Sequence, residues 1–232
     1  MRHPSIVELP IAYEFQGRHD TLYPSLIVWR DELTLVDTGY PGFLSRIEEA
    51  VANSGYAISG LRNIVITHYD NDHIGSLYDL KEKYPQVNII ASKRESRSIG
   101  GAEKSERLQQ AEAQLQHMTR EQQEFGRWFI AQLESLKHVP VDTEVSDGDR
   151  MLDGHCQVIA TPGHTAGHIS LYFPSIRSVI TGDAAVRENG ELAVANPHYC
   201  LDLAAAEQSL DRIKGLEAET YYCYHGGQYS TV

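Results

Sequence analysis

The chain has little cysteine, no surplus of positive charge and no long hydrophobic run. Cys156, Cys200 and Cys223 are the three cysteines among 232 residues. An odd number without Cys-x-x-Cys spacing excludes a disulfide scaffold and predicts reduced thiols that mostly pack. Lys and Arg total 20 against 32 Asp and Glu, a net charge of −12. Such a field repels polyphosphate backbones, which excludes nucleic acid as the first partner to consider. The longest apolar stretches, such as Leu26 to Trp29, are strand-length and fall short of the roughly 20 residues a membrane helix needs. No membrane segment is expected. Met1 to Pro10 lacks a basic region followed by an apolar core and a small-residue cleavage site, so no export signal is visible and a cytoplasmic location follows by default. A repeat of fixed period is also missing.

What is present is the composition of a folded protein. Hydrophobic residues make up 41% and charged residues 22%, which excludes a disordered chain. The length fits one domain over residues 1–232. Strands are predicted at Ser5–Leu9, Ala12–Phe15, Ser25–Trp29 and Leu33–Val36, the last two as a hairpin around Arg30, Asp31 and Glu32. Phe43–Asn53 has helical apolar spacing, and Leu77–Tyr84 is helical until Pro85. Between those helices lies a strand at Asn63–Thr67, and another follows at Val87–Ala91. Composition then turns polar from Ser92 to His138, an insertion read as a helical pair. Leu108, Leu115 and Met118 mark its first helix; Phe125, Trp128, Phe129, Leu133 and Leu136 mark the second, started by a Thr119–Gln122 capping box. Strands return near Gln157–Ala160, Ile169–Phe173 and Ser178–Thr181, before a helix at Asp202–Lys214 and a strand at Thr220–Tyr224. This order predicts an α/β protein with two face-to-face sheets and helices outside.

The chemistry concentrates at strand ends. After Asn63–Thr67 comes His68-Tyr69-Asp70-Asn71-Asp72-His73. Acidic and imidazole groups at this density repel one another or stay unsatisfied unless a cation neutralises them. Thr161-Pro162-Gly163-His164, Thr181-Gly182-Asp183 and Tyr224-His225 likewise follow strands. Ligands delivered from separate strand ends make a rigid metal site.

These motifs, with Asp37-Thr38-Gly39 after the hairpin, resemble those of the metallo-β-lactamase-fold hydrolases over nearly the whole chain. The resemblance implies an αββα sandwich of two mixed sheets, with two divalent metal ions between the sheet edges. By position, His68, Asp70 and His164 would bind one metal, Asp72, His73 and His225 the other, with Asp183 bridging and Asp37 supporting. Position 70 departs from most relatives, which carry a second His there. The di-iron flavodiiron branch has a carboxylate at that position, so Asp70 is expected to ligate. Zinc is the first expectation, and harder oxygen ligation keeps iron and manganese open.

The implied chemistry is hydrolysis by a metal-bridging hydroxide, with Asp183 holding the metals and Asp72 orienting the water and passing its proton on. The resemblance points to small lactones, thioesters or other esters, with the lactonase and glyoxalase II-like branches nearest. A di-iron redox core with a separate electron donor and a metal-stabilised binding module without turnover are the alternatives. Tyr69, His198 and Tyr199 are weak candidates for touching substrate, aromatic packing being the ordinary reading of each Tyr. His168 reads as a satisfied structural imidazole and Cys223 as packing. The insert is either a lid over the cleft or a surface for a homodimer.

Overall fold

The computed structural model describes residues 3–15 and 17–231; Met1, Arg2, Gln16 and Val232, at the ends of and within the 1–232 range, lie outside the described residues. The N-terminal half holds β1 (Ser5–Glu8), β2 (Ile11–Phe15), β3 (Arg18–Leu22), β4 (Ser25–Trp29), β5 (Glu32–Val36), α1 (Leu44–Asn53), β6 (Leu61–Ile66), α2 (Asn71–Ile74), α3 (Leu77–Lys83) and β7 (Asn88–Ser92). The insert supplies α4 (Ser96–Ile99), α5 (Glu106–Leu115) and α6 (Arg120–Glu134). The rest comprises β8 (Thr143–Val145), β9 (Arg150–Met151), β10 (Cys156–Ala160), β11 (Ile169–Phe173), β12 (Ser178–Gly182), β13 (Val186–Glu188), β14 (Glu191–Ala193), α7 (Leu203–Lys214), β15 (Thr220–Cys223) and β16 (Gly227–Ser230). No helix among the described residues is long and apolar enough to cross a membrane.

Two six-stranded sheets form, in the orders β1-β4-β5-β6-β7-β8 and β16-β15-β12-β11-β10-β9. Successive side chains on a strand point to opposite faces, and here both faces are covered. Leu26, Leu35, Ile64 and Ile89 pack outward with Ile47 and Val51 of α1 and Leu77 and Leu80 of α3. Their neighbours Ile27, Val36, Val65 and Ile90 pack inward against Val158, Leu171, Phe173 and Ile180 of the second sheet. Beyond that sheet, Val179, Tyr221 and Cys223 meet Leu210 and Ile213 of α7. The two face-to-face sheets with helices outside that the element order predicts, and the αββα sandwich that the resemblance implies, are therefore the observed architecture, and burial of both faces explains why the strands read as unbroken apolar runs.

Parallel pairing of β5 with β6, β6 with β7 and β7 with β8, and of β12 with β15, sends their carboxyl ends to a common edge. There the Ile169 N–H at the start of β11 donates to the Thr67 carbonyl after β6 at 3.1 Å, stitching the two sheets together. The sites of interest hang from this seam.

Several elements lie outside the sequence expectations. β13 and β14 form a hairpin whose two turn residues, Asn189 and Gly190, have φ of 51° and 85°. That is the type I′ turn which an Asn-Gly pair favours, so the signal was present. β3 is mostly exposed and too polar to read as a strand. β16 pairs antiparallel with β15 and fixes the chain after His225. The Thr119–Gln122 capping box forms as expected.

Phe173 is fully buried between the sheets. Phe173→Ala is expected to cost about 3–5 kcal/mol, read as a lower urea midpoint at unchanged slope.

Candidate metal centre

Five strand ends deliver the polar groups. Asp37 follows β5, the His68–His73 loop follows β6 and runs into the single turn α2, His164 follows β10, Asp183 follows β12, and His225 follows β15. Among the described residues, His68, His164 and Asp183 bring ligand atoms within 4.8 Å of one another, and so do Asp72, His73 and His225. Asp183 stands between the groups. Its Oδ2 is 3.4 Å from His164 Nε2, while its Oδ1 is 3.4 Å from His73 Nε2 and 3.5 Å from His225 Nε2. Asp72 Oδ2 lies 3.2 Å from His225 Nε2 and 3.7 Å from His73 Nε2.

Divalent metal ions fit these residues. His68 Nε2, His73 Nε2 and Asp183 Oδ1 are buried without a hydrogen-bond partner, and a buried orphan of this kind costs the full desolvation of the group. Nitrogen and carboxylate donors together suit zinc, iron or manganese.

Groups outside the ligand set hold each loop. Asp37 accepts from the Thr67 N–H at 2.9 Å and the Thr67 hydroxyl at 2.8 Å, and it engages His73 Nδ1 at 2.9 Å. That contact leaves His73 Nε2 free to face the centre. His168 Nε2 accepts from the Asp183 N–H at 2.9 Å, so its proton sits on Nδ1, 2.8 Å from the Thr161 hydroxyl. His168 is satisfied on both nitrogens, and in being so it positions Asp183. The Tyr224 hydroxyl donates to the Asp72 carbonyl and accepts from the Gly39 N–H at 3.1 Å, with its ring 4.0 Å from that of His73. Gly163 has φ of 130°, and a Cβ there would lie 2.1 Å from the Ala206 nitrogen. The turn carrying His164 therefore rests directly on α7. Cys223 packs in the core, and burial pushes its thiol up to about 12.

Two residues that sequence reasoning missed complete the centre. Glu95, between β7 and α4, is buried and accepts from the Thr165 hydroxyl and the Gly167 N–H, each at 2.8 Å, and from the Tyr69 N–H at 3.3 Å. One carboxylate thus ties two ligand loops together, and burial pushes it up to about 8 against those bonds. Arg107 of α5 is buried, with Nη2 at 2.7 Å from Asp70 Oδ2 and Nε at 3.1 Å and 3.2 Å from Oδ1 and Oδ2. The apolar spacing pointed to Leu108, Leu115 and Met118, but the buried residues of α5 are Arg107 and Ala111. No local pattern announces a buried Arg whose partner lies in a distant loop.

Asp70 stands beside the first group. Its Oδ2 is 3.0 Å from His164 Nε2 and 3.5 Å from His68 Nε2. Tyr69 does not join the ligand atoms; its buried phenol lacks a hydrogen-bond partner and its ring lines a cavity of about 330 Å³ with Arg94, Glu95 and Lys104. His198 is exposed, its N–H on the Asn196 side chain at 3.1 Å. Tyr199 is also exposed, but its ring centre is 5.9 Å from the Arg107 guanidinium carbon and 6.4 Å from the Phe129 ring.

The crowding shapes the protonation states. Burial opposes the charged form of His73, yet Asp37, Asp72 and Asp183 hold it well above the ordinary imidazole range. His164 is pushed up to about 10, burial being outweighed by Asp183 and Asp70, and His225 is raised by Asp183 and Asp72. Without a cation, His73 and His164 thus favour the protonated form, whereas burial lowers His68. A divalent ion must displace those protons. Metal binding at pH 7 is expected to release protons, and affinity to fall as pH drops; calorimetry in buffers of differing ionisation enthalpy reads both.

A family model described as the metallo-beta-lactamase superfamily matches residues 24–225. A hydroxyacylglutathione hydrolase of Brucella anthropi is 30% identical over 183 residues, covering 77% of this chain and 52% of its own length. The chain therefore spans about half of that relative. The Bacillus subtilis protein named "Probable metallo-hydrolase YflN" is 28% identical over 209 residues, covering 83% of this chain and 74% of that one. Among solved structures, a metallo-beta-lactamase family protein from Thermus thermophilus shares the fold with a TM-score of 0.70 at 21% identity, covering 97% of this chain and 74% of that one. With a family model that spans most of its length, the chain belongs to the metallo-beta-lactamase superfamily.

Proposed function

We propose that the chain is a binuclear metal-dependent hydrolase acting on a small ester, lactone or thioester. The observation that carries this is Asp183, whose two carboxylate oxygens face separate groups of ligand atoms, Oδ2 toward His164 and Oδ1 toward His73 and His225. His68, His164 and Asp183, with Asp70 beside them, would hold one ion; Asp72, His73 and His225, with Asp183, the other. Two divalent ions, zinc first and iron or manganese as alternatives, would supply an activated water and a Lewis-acid contact to a carbonyl oxygen. Asp72 is held through its backbone carbonyl by Tyr224. With one carboxylate oxygen toward His225, its other oxygen is available to orient the attacking water and to carry a proton to the leaving group.

The surroundings favour an acyl substrate over a phosphodiester. From Arg107 outward, the rings of Tyr199, Phe129, Phe125, Trp128 and Phe15 follow one another at centre-to-centre distances of 5.5 to 6.4 Å. Phe15, Phe125, Trp128 and Tyr199 are all at least 40% exposed. This aromatic track leads away from the centre and suits an apolar acyl group. The net charge of −12 works against polyanions. The Brucella relative's name specifies an acylglutathione, which is a thioester, and supports the same class.

The test is reconstitution with zinc, manganese or iron(II), followed by assay on thioester, lactone, β-lactam and phosphodiester panels. Turnover on a thioester or lactone is expected, with Asp183→Asn lowering kcat by about 100-fold or more. A fully metal-loaded protein inert on every panel would overturn the reading.

A further inference from the structure

A buried guanidinium is tolerated only when paired, and the charge partner of Arg107 is Asp70 of the centre. It is 2% exposed. Nε and Nη2 grip the Asp70 carboxylate, and Nη1 donates to Gln110 Oε1 on the next turn of α5 at 2.9 Å, which fixes the fork. Nη2 also lies 3.4 Å from His164 Nε2 and 3.5 Å from the His164 carbonyl. A permanent positive charge therefore sits against the group formed by His68, His164 and Asp183. Among the described residues, no Lys or Arg makes an ion-pair contact with the other group: the ion-pair contacts of Asp72 are to His73 and His225.

We propose that Arg107 makes the two metal positions unequal, neutralising Asp70 so that the position at His68 and His164 binds its ion more weakly than the position at Asp72, His73 and His225. The inference rests only on the two-metal part of the proposed function, and it stands or falls without any substrate. Around the weaker position Asp70 and Arg107 cancel, leaving two neutral imidazoles and a share of Asp183. Around the stronger position Asp72 is uncancelled. Arg107 belongs to the insert, so α5 governs whether the centre holds one ion or two. It is a positioning and charge-balancing residue that acts through Asp70.

The experiment is titration of chelator-stripped full-length protein with zinc against a chromophoric competitor, with cobalt(II) absorption spectra identifying the ligand set filled at each step. The native protein is expected to fill in two resolved steps, the Asp72 position first. Arg107→Met removes the cation and leaves Asp70 free to ligate, so the second step should tighten about tenfold or more while the first is unchanged. Arg107→Lys keeps the charge and should retain the native weak second step. Asp70→Asn leaves the cation unopposed and should abolish the second step, with the first intact. Tighter binding is not what a damaged fold produces, and the double variant Asp70→Asn/Arg107→Met, which has no unpaired charge, controls for stability with a second step between the two single variants. Equal affinities in the native protein, an unchanged or weaker second step in Arg107→Met, or a lysine variant that behaves like methionine would each overturn the proposal. Loss of turnover with these affinities as expected would count against the hydrolase reading alone.

Discussion

Three carboxylates and four imidazoles converge where the edges of two sheets meet, with most of their ligand atoms withdrawn from water. Like charges at these separations repel strongly in a protein interior, and His68 Nε2, His73 Nε2 and Asp183 Oδ1 are left without hydrogen-bond partners. The cluster is stable with protons or metal ions as the compensating charge. The fold must hold the groups close in spite of that repulsion. It does so by anchoring each to a strand end and by burying both faces of both sheets, so that relaxing the site would mean opening a core.

Anchoring goes further than the strands. Asp37 fixes His73, His168 fixes Asp183, Tyr224 fixes Asp72, and Glu95 joins the loop of His68 and Asp70 to the loop of His164. Each of these supports comes from a different element than the ligand it holds. The arrangement converts local turns into one rigid unit, and for His73 the contact of Nδ1 with Asp37 determines that Nε2 faces the centre.

The strand-end motifs were legible because each combines an apolar run with a short polar sequence, both local signals. The two-sheet architecture was legible for a related reason, since unbroken apolar runs mean strands covered on both faces. Other features depend on distant pairing and leave little local trace. β3 is an exposed ribbon strand without alternation, and β16 exists because β15 offers it an edge. Arg107 and Glu95 look like surface residues in a polar insert; each is buried because of groups far along the chain, Asp70 in one case and Thr165 and Gly167 in the other. Asn189-Gly190 is the exception, a local turn signal that alone would have placed the β13–β14 hairpin.

Arg107 also sets the charge balance of the centre. Asp70, Asp72 and Asp183 alone give three negative charges, one more than if position 70 held a neutral His. The guanidinium on Asp70 returns the total to that of a His-bearing loop. The protein thus reaches an ordinary net charge by a pair instead of a single residue. A neutral His would act from within its own loop, whereas the pair extends from the loop into α5. Any displacement of that helix would uncover the Asp70 charge and alter the field at His164, so the centre's electrostatics are mechanically joined to an insert that also carries Phe125, Trp128 and Phe129 of the aromatic track. In this chain the cation that balances Asp70, on α5, and the aromatic side chains Phe125, Trp128 and Phe129, on α6, are carried by successive helices of one insert.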